Sequence, residues 1–160
     1  MNGFLFVLTL LAALGCGMMA GVFFAFSAFV MKALARLPAP QGVAAMQAIN
    51  AAAVTFAFMA ALFGTAVACG ALVVSALFAW DERFAPYLLV GSVLYLVGTI
   101  LLTITYHVPR NDALTTVEPH SADAESHWTR YRSGWTAWNH VRAAAALAAA
   151  ATLTIALHVG

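Results

Sequence analysis

The stretch Tyr131–Arg142, YRSGWTAWNHVR, runs without a break into AAAALAAAATLTIALH, residues 143–158. Two tryptophans, an asparagine, a histidine and an arginine fall within about three helical turns. An alanine-rich apolar segment follows at once. Polar and aromatic side chains this dense, at the mouth of a hydrophobic helix, are costly unless water, a partner or a ligand receives them. The join predicts a polar site at one face of a bundle of membrane-crossing helices.

Composition agrees with that setting. The chain has 160 residues, 64% of them hydrophobic and only 8% charged, with a mean hydropathy of +0.91. Soluble domains carry about 25% charged residues. The formal net charge is +1 and no basic tract is present, so nothing points to nucleic acid. Cys16 and Cys69 each sit inside an apolar run, without a CxxC, and read as small buried hydrophobes. Met1–Phe4 carries no Lys or Arg, so a signal peptide's basic start is missing and a retained helix is expected.

Four apolar segments are long enough to cross a hydrocarbon core, which takes about 20 helical residues. They predict an all-α fold: one integral-membrane domain over 1–160, a four-helix transmembrane bundle with spans near 4–31, 46–79, 85–107 and 138–158. Lys32, Arg36 and two prolines close the first span, Trp80–Arg83 closes the second, and Pro109 is expected to stop the third. Pro86 suits a first turn. An amphipathic segment is expected between the third and fourth spans. Ser121 would be its N-cap, with Asp123 and Glu125 in the first turn, and the helix would merge with the fourth span. Trp128, Tyr131, Trp135 and Trp138, spaced three, four and three, would share a face. Gly17, Gly21, Gly64, Gly70, Gly91 and Gly98 allow close helix contact, and Gly17–Gly21 leaves a homo-oligomer open.

Arginine and lysine counts set an expected orientation. Lys32 and Arg36 flank the first loop; Arg110, Arg130, Arg132 and Arg142 lie in or beside the third; only Arg83 marks the second. The first and third loops would then be cytoplasmic and both termini outside, in what is expected to be a bacterial inner membrane. This places the polar residues together at one end. Gln47 and Asn50 open the second span, Asn111 follows the third, and Trp135, Trp138, Asn139, His140 and Arg142 open the fourth. Arg142 offers donors suited to an anionic oxygen, and the asparagines suit a carbonyl or phenol. His140 can move a proton near neutral pH. Phe24 and Met46 are among the apolar residues expected to wall a pocket. The tryptophans could equally be interfacial anchors, and Arg142 could reach headgroups. His107, His120, His127 and His140 share no ligand spacing, which argues against a metal.

The chain resembles the DUF1772 family of small four-helix membrane proteins, which includes the anthrone oxygenases. The matching pieces are Gly17–Gly21 with Phe24, Phe26 and Ser27; Leu37-Pro38; Met46–Asn50; Val108–Asn111 with Leu114; and Trp135 with Trp138–Arg142. His107 departs from the family pattern, which often has Asn there, and the position of His140 varies. The resemblance implies a cofactor-independent oxygenase acting with O2 on an apolar polycyclic phenol or anthrone. Asn111, Asn139 and Arg142 would hold the anion and His140 would be the base. Gln47, Asn50, Met46, Phe24, Trp135 and Trp138 would contact substrate. The competing reading is a non-catalytic membrane protein that binds a lipid, a quinone or a partner helix.

Overall fold

The computed structural model describes residues 1–160 and contains helices only. In chain order they are α1 (Gly3–Leu34), α2 (Ala39–Ala52), α3 (Phe56–Phe78), α4 (Ala85–Thr115) and α5 (Ala124–Val159). All but α2 are long and apolar enough to cross a membrane. They form a closed ring in which α1 packs on α5, α5 on α4, α4 on α3 and α3 on α1. Small side chains permit these approaches. A Cβ on Gly91 would lie 2.9 Å from Leu153, and one on Gly98 would collide with Ala145, so α4 lies tight on α5. Gly21, Gly64 and Gly70 have open space instead and contribute nothing to packing within the chain. Cys16 and Cys69 are buried in the main core with Leu72, Leu88, Tyr95 and Leu153.

The segment expected to be one span over 46–79 is two helices. The α2 helix ends at Ala52, and Thr55 restarts the chain in an extended conformation, its hydroxyl accepting from the Phe58 N–H at 3.3 Å. The cause is local: a threonine that caps is a better helix start than a helix interior. The α2 helix packs beside the end of α4 and the first part of α5. It builds a second core there from Val43 and Met46 against Leu114, Trp128, Tyr131 and Trp135. Gly42 lets it approach; a Cβ at that position would stand 2.7 Å from the Trp128 ring.

Pro109 does not stop the third span. The helix runs on to Thr115 because the preceding turns, Leu96–Leu101 and Thr103–His107, are π-helical. The Val108 N–H reaches back five residues to the Thr103 carbonyl. The wider turn accommodates a residue that has no N–H and needs room for its ring. The α1 helix holds a similar π turn at Phe26–Val30. The α5 helix is continuous over 36 residues, so the amphipathic segment does merge with the last span. It starts at Ala124 after Asp123, and Ser121 is not its N-cap. The backbone carbonyl of Ser121 instead accepts from the Ala124 N–H in a turn.

Candidate active site

The π turn of α1, the broken α2–α3 joint, the π turns of α4 and the middle of α5 surround one cavity of about 550 Å³. Its apolar wall includes Phe23, Phe26, Met46, Phe58 and Trp135. Its polar members are Asn50, Thr55, Thr103, His107, Asn111 and Arg142. The volume lies in the range of small-molecule sites, about 300–1,000 Å³. Val54 and Phe63, which also line it, are exposed on the apolar exterior, so the cavity reaches the bundle's outer face beside the α2–α3 joint.

Arg142 is the centre of its electrostatics. It is 5% exposed, deep in an apolar helix, where a charge costs several kcal/mol. No carboxylate accepts from it. Nη1 donates to Thr103 Oγ1 at 3.0 Å and Nη2 donates to Asn139 Oδ1 at 2.6 Å. The guanidinium also lies 4.2 Å from the Phe23 ring centre and 5.4 Å from that of Trp135. Asn139 is fully buried, and its amide donates to the Phe23 carbonyl at 2.7 Å and Ser27 Oγ at 2.6 Å. The π turn of α1 therefore holds Asn139, and Asn139 holds Arg142. The positive charge keeps neutral partners only, an arrangement suited to receiving an anion.

Three of the four buried polar atoms without a partner belong to cavity residues: Asn50 Nδ2, His107 Nε2 and Arg142 Nε. The first and third are donors. His107 Nδ1 lies 3.4 Å from the Leu102 carbonyl, which can only accept. With the proton on Nδ1, toward that carbonyl, Nε2 carries the lone pair. Asn111 Oδ1 accepts from Tyr131 Oη at 2.9 Å and from Trp135 Nε1 at 3.1 Å. Both bonds fix the amide so that its N–H₂ is turned away from them. The residues of this one cavity thus carry donors suited to an oxyanion and one unpartnered ring nitrogen, all three atoms covered by their neighbours.

The predicted residues separate clearly. Asn50, Met46, Asn111, Trp135 and Arg142 line the cavity. Asn139 stands behind it as the support of Arg142. Gln47 does not line it; its amide donates to the Leu114 and Val117 carbonyls at 2.9 and 3.0 Å and ties α2 to the end of α4. Phe24 is 63% exposed on the apolar exterior, and the neighbouring Phe23 lines the cavity in its place. Trp138 is 44% exposed and packs outside against Tyr106, the rings tilted by 43° with centres 5.2 Å apart. His140 is exposed and does not line the cavity, because it is one residue, or about 100°, from the buried face that carries Asn139. Phe23 belongs to the apolar wall that the sequence suggests, whereas Thr103, His107 and Tyr131 are not singled out there as site residues. A signal existed for α4: Ser92, Tyr95, Thr99, Thr103 and His107 recur every three or four residues and mark its inward stripe.

In class, the protein is an all-helical bundle with four membrane-length apolar helices and an arginine-centred cavity at one end. Residues 52–152 match the family model described as anthrone oxygenase, and the chain belongs to that family. Searches of curated proteins and of solved structures gave no match.

Proposed function

We propose that the protein is a cofactor-independent oxygenase that converts the benzylic CH₂ of a polycyclic phenol or anthrone to a ketone with O2. One observation carries this reading: Asn50, His107 and Arg142 line the same apolar cavity, and each keeps one buried polar atom without a hydrogen-bond partner, two donors and one ring nitrogen. Family membership supports the same chemistry.

In the proposed reaction His107 Nε2 takes one benzylic proton. The charge left on the substrate delocalises onto its oxygen, where Arg142 and Asn50 stabilise it. The electron-rich anion gives one electron to O2, and the resulting radical and superoxide combine in a C–O bond. The peroxide takes the proton back from His107. His107 then removes the second benzylic proton as the O–O bond breaks to form the carbonyl, and passes that proton to the departing hydroxide, which leaves as water. The carbon loses four electrons and O2 gains four, one oxygen ending in product and one in water. The substrate supplies every electron. The protein supplies an apolar enclosure, anion stabilisation and a proton acceptor.

The test is O2 uptake and quinone absorbance with purified protein and an anthrone. The rate should exceed spontaneous oxidation and fall about 10²–10³-fold in Arg142→Ala, the loss expected for an oxyanion donor. Binding of the aromatic substrate without any rate enhancement, across several anthrones, would replace this reading with that of a lipid- or quinone-binding protein.

A further inference from the structure

We propose that a second cleft, on the outside of the α4–α5 junction, binds the phosphate of an anionic lipid headgroup. The cleft encloses about 370 Å³ and is open to the exterior. Arg110, His127 and Arg130 line it, with no acidic side chain among its residues. Its floor is apolar, built from Ala113, Leu114 and Val117. Arg110 is held in place from below. Its guanidinium lies 3.4 Å from the Tyr106 ring centre, and Nη1 donates to the Tyr106 carbonyl at 3.3 Å. The remaining N–H groups of that planar fork are free for phosphate oxygens.

Position selects a lipid over a soluble anion. The apolar run of α4 ends at Val108, and the first part of α5 carries the polar residues that precede its alanine-rich half. The cleft lies where those two boundaries meet, the level at which the hydropathy of the chain predicts headgroups. Basic residues there gain from negative lipid surfaces. Cationic rim and apolar floor together match a phosphodiester followed by its glycerol and acyl carbons. Neither the proposed reaction nor its cavity is needed for this, and Arg110 and Arg130 do not line that cavity.

Native mass spectrometry of the detergent-solubilised protein, with phosphatidylglycerol or phosphatidylcholine added, tests it. Phosphatidylglycerol adducts should predominate. Their excess should fall roughly fivefold for each arginine removed in Arg110→Gln and Arg130→Gln. Arg36→Gln, in the first loop, should leave it unchanged. Circular dichroism should show the same helix content in all variants, since both cleft arginines are exposed. Equal adducts of the two lipids, or selectivity that survives the double substitution, would overturn the proposal. Displacement of phosphatidylglycerol by millimolar inorganic phosphate would overturn the lipid assignment and leave a soluble phosphate as the occupant.

Discussion

Asn139 and Arg142 form one structural unit. Asn139 uses its amide on the α1 backbone and on Ser27, and its carbonyl oxygen on Arg142. Asn139→Ala strips partners from a buried guanidinium and a buried hydroxyl together. Unsatisfied buried polar groups cost about 1–3 kcal/mol each. The expected outcome is a clearly lowered melting temperature in detergent, whereas His140→Ala, on the exposed face, should leave it unchanged. Equal melting of the two variants would contradict the network. The pairing of Asn139 with Arg142 was legible, since residues three apart share a helix face. The wider stripe was misread by one position. The buried series on α5 is Trp128, Tyr131, Trp135, Asn139, Arg142, Ala146, Ala149 and Leu153. It steps by three or four without including Trp138 or His140. Counting the tryptophans alone drew Trp138 onto the wrong face.

Among the elements, the informative departures are all interruptions of helix. Apolar windows located the four long helices, because burial in lipid and burial in protein favour the same side chains. They could not locate the break at 53–55, where hydropathy stays high and only the cap at Thr55 marks a new start. Nor could Pro109 be read correctly, because its usual effect is cancelled by π turns that no local composition announces. These interruptions matter because they surround the cavity. The seating of α2 can be tested separately. Gly42→Val should clash with Trp128 and cost about 1–3 kcal/mol, read as a fall in melting temperature. Gly64→Ala, in open space inside α3, should raise stability by up to about 1 kcal/mol. A neutral Gly42→Val would mean that α2 does not pack on α5 as described.

For the whole molecule, the cavity's polar residues gather at one end, and from the arginine and lysine distribution we propose that this end faces the cytoplasm. A cysteine introduced at Glu118, between α4 and α5, should resist membrane-impermeant thiol reagents in intact cells and react after permeabilisation. The native Cys16 and Cys69 are buried and should stay silent. Ready labelling in intact cells would invert the orientation.

We propose that base-promoted oxygenation takes place in the cavity and uses His107. Comparing O2 uptake with an anthrone in His107→Gln and His140→Gln decides it. Glutamine keeps bulk and polarity but cannot accept the proton. His107→Gln should lose about 10²–10⁴-fold of the enhanced rate, the usual contribution of a general base, while His140→Gln keeps it. An enhanced rate that survives in His107→Gln, or is lost in His140→Gln, would contradict the account.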